Sequence, residues 1–262
     1  MTSRPKLAVS SCLLGEKVRH NGESSEFRIL NRVWSEHLEL IGVCPEVGVG
    51  MGVPRPSIRL VKGEERISLV NPETGDDYTK KMLEYAEVQS DFLVGSGISG
   101  FVFKSDSASC GLERVKVYRG DSPQAIRDGI GLFSKVFTTL YPHIPVAEES
   151  QLRDKSQADH FLARVNLLHI WQMFGSEGWT AEKIEAFLLD QKPLMQKMAP
   201  NSNGILTGLI VQGLNNGEHP ENIALNYITE AQNLLTIHTK VSNISNALEL
   251  SLIHISEPTR HE

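Results

Sequence analysis

Residues 7–15 read Leu7-Ala8-Val9-Ser10-Ser11-Cys12-Leu13-Leu14-Gly15, which is a short apolar run followed by a cysteine and a turn glycine. Apolar runs of this length, bounded by Gly or Pro, are typical of buried parallel strands. The same pattern occurs twice more, in Leu40-Ile41-Gly42-Val43-Cys44-Pro45-Glu46 and in Phe101-Val102-Phe103-Lys104-Ser105-Asp106-Ser107-Ala108-Ser109-Cys110-Gly111. Ligands of open α/β sheets bind at the carboxyl ends of the strands, so the three cysteines of the chain can converge on one point there.

The alternation of apolar runs with helical patterns predicts an α/β fold, a doubly wound and mostly parallel sheet, over residues 1–147. The predicted strands are 6–11, the run that ends at Cys44, 58–61, 67–70, 100–103 and 115–118. The predicted helices are 27–39, 76–95 and 123–141, the last with Pro123 in its first turn.

From about residue 148 the pattern becomes helical throughout, which predicts a smaller all-α domain over 148–250. The predicted helices there are 148–174, 180–198, 202–214 and 219–240. Residues 251–262 resemble a translated sequencing adapter, so we expect them to be a non-native tail and the helical domain to be truncated.

Composition places the chain among ordinary globular proteins. It has 262 residues, of which 40% are hydrophobic and 22% charged, and a net charge of −6. An acidic chain requires any nucleic-acid site to be a local basic patch. The sequence shows no signal peptide and no apolar run of the ~20 residues that span a bilayer. With an odd number of cysteines, it predicts a cytoplasmic protein with reduced thiols and no membrane contact.

Three thiols allow several kinds of site, and the residues alone leave them open. Buried cysteine often only fills core space. A zinc site usually shows closely spaced cysteine pairs, which are absent, although a Cys₃His site with His20 is possible. A Cys–His nucleophile needs one thiol and leaves two unexplained. Three dispersed thiolates suit an iron–sulfur cluster with one iron open to substrate.

The sequence resembles the bacterial 2-thiouracil desulfidase family across residues 6–147. The resemblance rests on five blocks in order: Ser11-Cys12-Leu13-Leu14-Gly15, Val18-Arg19-His20-Asn21-Gly22, Cys44-Pro45-Glu46, Gly52-Val53-Pro54-Arg55-Pro56 and Lys104 to Gly111. The helical half is similar to a second domain often fused behind that family, in the stretches 187–195, 206–210 and 239–243. The fusion resembles enzymes that remove sulfur from 4-thiouridine in tRNA.

This resemblance implies a [4Fe–4S] cluster held by Cys12, Cys44 and Cys110, with its fourth iron free of protein. It implies a non-redox reaction in which water replaces the sulfur of a thiolated pyrimidine, with 4-thiouridine in tRNA as the expected substrate and tRNA as the partner. Free 2-thiouracil or a thionucleotide is the alternative substrate. A cluster-binding or zinc-binding sensor that engages a protein partner is the alternative class. The sequence indicates neither a particular protein partner nor an oligomeric state.

Two catalytic residues are predicted from their positions. Glu46 follows a cluster ligand by two residues, and its carboxylate can accept a proton from water, although it can equally cap a helix after Pro45. Ser107 is expected to orient the base or the water, with Ser105 and Ser109 as competitors. The alternative for these serines is turn hydrogen bonding.

Substrate contacts are predicted from the motif loops. Basic residues concentrate in or beside them, and these can hold a phosphate backbone or be ordinary solvated charge. They are Arg19, Arg55, Lys104, Arg114, Lys116 and Arg119. Ser105, Ser109 and Asn21 are further candidate substrate contacts. The chain departs from the family's usual residues at His20, Asn21 and Ala108, which bears on substrate contacts rather than on the cluster.

Overall fold

A computed structural model of the chain describes residues 3–64, 66–120, 124–200 and 202–238, and the chain divides into two compact units. The first unit holds Arg4–Pro142 and Val146–Leu152. The second holds Ser3, His143–Pro145 and the described chain from Arg153 onward. Among the described residues, no helix is both long and apolar enough to cross a bilayer.

The first unit is an α/β unit with eight strands and four helices in its described part. In chain order they are β1 (Lys6–Ser10), α1 (Arg28–Arg32), β2 (Glu39–Val43), α2 (Pro45–Gly48), β3 (Arg59–Lys62), β4 (Ile67–Val70), α3 (Thr79–Gly95), β5 (Ile98–Phe103), β6 (Val115–Arg119), β7 (Ala125–Gly129), α4 (Leu132–Leu140) and β8 (Val146–Glu148). Short 3₁₀ turns follow β1 at Ser11–Leu14, α1 at Trp34–Glu36 and β8 at Gln151–Arg153.

The central sheet has the order β2-β1-β5-β8, and every neighbouring pair is parallel. All six residues of β5 are buried, as parallel strands covered on both faces require. Phe101 and Phe103 are two residues apart and therefore lie on the same face of β5. They pack against Phe133 and Phe137, which lie one turn apart on α4. The α/β class predicted from the sequence is confirmed, and this aromatic cluster fixes α4 against the sheet.

A second sheet, of order β4-β3-β6-β7, lies in the same unit. It is mixed, because β3 pairs in parallel with β6 while β4 and β7 pair antiparallel at its two edges. The predicted helix 123–141 is wrong in its first part, since Ala125–Gly129 forms β7 and α4 begins only at Leu132. Gly129 and Gly131 interrupt the helical pattern there, and Pro123 lies outside the described residues.

Two further predicted helices are shorter than expected. The helix predicted at 27–39 is reduced to α1 and the 3₁₀ turn Trp34–Glu36. The helix predicted from 76 begins at Thr79, because the Asp77 carboxylate accepts a hydrogen bond from the Thr79 backbone N–H at 2.8 Å instead of joining the helix.

The second unit is helical, with α5 (Lys155–Phe174), α6 (Ala181–Met198), α7 (Ser202–Asn215) and α8 (Pro220–His238). Side chains cap two of these helices: Asp154 accepts from Gln157 N, and Thr180 accepts from Lys183 N. Phe187 packs edge-on against Phe174, Trp179 and Tyr227, which gives this unit an aromatic core. The predicted tail 251–262 and the stretch 239–243 lie outside the described residues.

Candidate active site

Cys12, Cys44 and Cys110 line one cavity of about 430 Å³. Their segments leave β1, β2 and β5, which are adjacent in the central sheet and parallel, so all three emerge at the same edge. Cys12 lies in the 3₁₀ turn after β1, Cys44 caps α2, and Cys110 comes seven residues after β5. All three are free thiols, so the structure brings together the three sulfurs that the sequence singles out.

Burial keeps these thiols protonated in the metal-free chain. It raises the pKa of Cys12 to about 11, against the opposing positive charges of Lys104 and Arg19. It also raises the pKa of Cys44, and that of Cys110 well above its usual value, where the negative charge of Glu46 adds to the shift. Metal binding at this cavity must therefore displace protons from the sulfurs.

The Cys110 loop, residues 104–113, is hydrogen-bonded to the start of α4. The backbone N–H of Leu132 donates to Ala108 O at 3.1 Å and that of Phe133 to Ser109 O at 3.0 Å. These first-turn N–H groups have no partner within the helix, so the loop carbonyls satisfy them. Gly131 makes this approach possible, since a Cβ there would lie 2.5 Å from the Ser109 carbonyl and 2.7 Å from Cys110 N.

Gly131→Ala is therefore expected to destabilise the chain by about 1–3 kcal/mol, because backbone atoms must move to admit the methyl group. The measurement is the denaturant midpoint of the full chain. Gly95→Ala is the matched control, since a Cβ at Gly95 meets nothing within 4 Å. Equal midpoints for the two variants would contradict the tight approach of this loop to α4.

Glu46 lies in the first turn of α2 and faces the cavity with a fixed carboxylate. Its Oε2 accepts from Arg55 Nε at 3.0 Å and from Nη2 at 2.5 Å, and its Oε1 accepts from Ser109 Oγ at 3.1 Å. The Glu46 side chain keeps 16% of its surface exposed, while that of Arg55 keeps 4%. Charge-assisted bonds from a buried guanidinium hold the carboxylate in one orientation.

The Arg55 guanidinium donates its hydrogen bonds to other groups of the protein. Besides Glu46, its guanidinium donates to Gly52 O at 2.8 Å and to Val18 O at 2.9 Å. These contacts make it a positioning partner of Glu46, which the sequence reasoning missed. The Gly- and Pro-rich stretch between Glu46 and Arg55 is the sequence feature that indicates that the chain turns back here. Contact of Arg55 with substrate stays a prediction.

The loop serines have different surroundings. Ser109 is fully buried and donates to Glu46, so the loop serine that contacts Glu46 is one of the two competitors of Ser107. The Ser107 hydroxyl lines the cavity and accepts from the backbone N–H groups of Ser109 at 3.3 Å and Cys110 at 3.1 Å, which is a turn role. Action of Ser107 on water or substrate stays a prediction.

The other predicted contacts divide by position. Arg19, His20, Lys104 and Ser105 line the cavity. Asn21 is not among the lining residues, and its side-chain amide donates to Glu23 at 2.7 Å. The remaining basic residues of the prediction also lie outside the lining: Arg114, Lys116 and Arg119. The cavity lining thus contains three basic side chains, Arg19, Arg55 and Lys104, of which Arg55 is paired with Glu46 and Lys104 with Glu149.

Comparison with known proteins gives the class. A sequence model of the 2-thiouracil desulfurase family matches residues 7–149, more than half of the chain. A solved structure described as a [4Fe-4S]-dependent thiouracil desulfidase, TudS, matches at 31% identity over 57% of this chain and 94% of that chain, with a TM-score of 0.46. No protein of curated function matches.

The family model places the α/β unit in a class of enzymes that remove sulfur from a thiocarbonyl compound. The chain belongs to the 2-thiouracil desulfurase family. The resemblance stated from the five sequence blocks is therefore confirmed, and the matched residues 7–149 include all three cysteines and Glu46.

Proposed function

We propose that this chain is a [4Fe–4S]-dependent desulfidase that converts the thiocarbonyl of a thiolated pyrimidine to a carbonyl, with 4-thiouridine in tRNA as its substrate. The observation that carries the proposal is that one cavity is lined both by three free cysteines and by the Glu46 carboxylate, which is paired with Arg55. The family match supports the reaction class, and the matched thiouracil desulfidase is itself described as [4Fe-4S]-dependent.

The donor set fits such a cluster. Thiolates are the usual ligands of iron–sulfur clusters, and the chain offers three cysteines in all. Among the described residues, no group of three His, Cys, Asp or Glu side chains is arranged to hold one metal ion. A cluster does not require that arrangement, because each cysteine binds a different iron. When bound, it supplies a Lewis-acidic iron suited to a soft sulfur ligand.

Glu46 acts as the proton acceptor. Water adds its oxygen to the thiocarbonyl carbon and passes one proton to the Glu46 carboxylate, while the carbon–sulfur bond breaks. The second water proton passes to the departing sulfur, which leaves as hydrosulfide, and Glu46 gives back the first, so thiocarbonyl plus water gives carbonyl plus hydrogen sulfide with no net redox change. A positioned base of this kind contributes roughly 10²–10⁴-fold to the rate.

Arg55 and Ser109 keep Glu46 ready for this step. The ion pair on Oε2 and the hydroxyl on Oε1 leave the carboxylate little rotational freedom, so its remaining lone pairs face a defined part of the cavity. Arg19 and Lys104 place positive charge near Cys12, where it offsets the charge of the bound thiolates and attracts a phosphate-bearing substrate.

Two substrates are supported by different observations. The helical unit lies beyond the family match and resembles the domain fused in tRNA-acting enzymes, which favours 4-thiouridine in tRNA. The family description names 2-thiouracil, which favours the free base.

The deciding experiment incubates anaerobic holoprotein with 4-thiouridine-containing tRNA and, separately, with free 2-thiouracil, and follows the loss of thiocarbonyl absorbance. We expect kcat/KM for the tRNA to exceed that for the free base by about 100-fold or more, since phosphate contacts add affinity only for the tRNA. Preference for 2-thiouracil would replace the proposed substrate by the second candidate. No sulfur loss from either, with the cluster intact, would refute the proposed reaction.

A further inference from the structure

Two consecutive carboxylates, Glu148 at the end of β8 and Glu149 directly after it, are almost completely buried, at 4% and 6% exposure. Acidic side chains are rarely buried unless they are paired. β8 runs parallel to β5 with Phe103 opposite Glu148, so both carboxylates lie where the chain leaves β5 towards Cys110. Neither residue lines the cavity.

Glu149 holds the beginning of the Cys110 loop. Its Oε2 accepts from the backbone N–H of Ser105 at 2.7 Å. Its Oε1 accepts from the Ser105 hydroxyl at 2.7 Å and from Lys104 Nζ at 2.5 Å. Both oxygens are therefore used by the two residues that directly follow β5.

Glu148 holds the end of the same loop. Its Oε1 accepts from the backbone N–H groups of Leu112 at 2.7 Å and Glu113 at 3.3 Å. Its Oε2 accepts from the Ser150 hydroxyl at 3.2 Å. Two adjacent residues thus fasten the chain on both sides of Cys110, five to six residues before it and two to three residues after it.

We propose that Glu148 and Glu149 are positioning residues that fix the Cys110 loop, residues 104–113, in the shape needed to bind the cluster. We call this pair of carboxylates the clamp. This inference rests on the proposed cofactor. The carboxylates accept all of these hydrogen bonds, whereas leucine accepts none. Replacing either residue by leucine therefore releases one end of the loop while keeping a side chain of similar size.

The test uses the anaerobic holoprotein of Glu149→Leu and Glu148→Leu and follows bleaching of the cluster by an iron chelator. Each variant is expected to release iron about tenfold faster than the original chain, the effect of one lost hydrogen bond to a charged group. Glu87→Gln is the control, because it changes an exposed carboxylate on α3, outside the Cys110 loop, and its release rate is expected to be unchanged.

A second readout separates this inference from the proposed cofactor. The full chain without iron is treated with iodoacetamide, and alkylation of Cys110, which is 5% exposed, is followed by peptide mass. Cys110 is expected to react about tenfold faster in both clamp variants, with Cys44 unchanged. If the original chain never takes up iron, the cofactor proposal fails. The alkylation rate of Cys110 then tests by itself whether Glu148 and Glu149 fix the loop.

Far-UV circular dichroism must show folded protein in each variant. If the leucine variants do not fold, Ser105→Ala replaces them, since it removes one Glu149 contact without leaving a buried charge unpaired. Its expected effect is about a threefold faster release of iron and a faster alkylation of Cys110. Unchanged iron release and unchanged alkylation in folded variants would overturn the inference.

Discussion

Cys110→Ala is expected to reduce desulfidation to the background rate and to leave far less than a full cluster in the protein. Cys110 is one of only three thiols in the chain, and all three line the same cavity. Two remaining thiolates cannot hold a cluster that needs three protein-bound irons. The fold is expected to persist, since Cys110 lies on a loop and not within the central sheet.

The measurement is iron and acid-labile sulfide per chain, together with turnover, in protein purified without oxygen. Ala108→Ser is the matched control, because it changes the same cavity-lining loop without touching a thiol. We expect the control to keep its iron. A Cys110→Ala protein that keeps a full cluster and normal turnover would remove Cys110 from the ligand set.

Glu46→Gln is expected to lower kcat by about 10²–10⁴-fold while leaving the iron content unchanged, because glutamine cannot accept the proton from water. The substitution keeps the side chain's shape, and Arg55 keeps its bonds to Gly52 O and Val18 O. Loss of the ion pair is expected to cost about 3–5 kcal/mol of stability, since the Arg55 charge is buried.

Turnover is measured per intact cluster, so that any loss of iron is not mistaken for loss of catalysis. Glu16→Gln is the control, an exposed carboxylate outside the cavity lining, and is expected to be fully active. Full turnover of Glu46→Gln with its cluster intact would show that the base lies elsewhere, and it would leave the family membership untouched.

The place of the three cysteines could be predicted from sequence because it depends on local signals. Apolar runs predict parallel strands, and chain direction then puts the residues after them at one edge of the sheet. The second sheet was only partly predictable. β7 contains Arg127 and Asp128 in a run of five residues, and only its pairing with β6 makes it a strand.

The contacts that fix the site could not be predicted from the sequence, because they depend on strand pairing between distant parts of the chain. Glu149 meets Ser105 across 44 residues, and only the pairing of β5 with β8 brings them together. The loop that carries the three serines turns at Asp106, whose φ of 58° is unusual for a residue other than glycine. The residue types alone do not predict this turn, and they do not predict which hydroxyl reaches Glu46.

The central claim is that three cysteines on one cavity hold an iron–sulfur cluster with one iron free of protein thiolates. Elemental analysis of anaerobically purified protein tests it most directly. The account predicts about four irons and four acid-labile sulfides per chain, with negligible zinc. One zinc per chain and no iron, persisting after attempted reconstitution of the cluster, would contradict it.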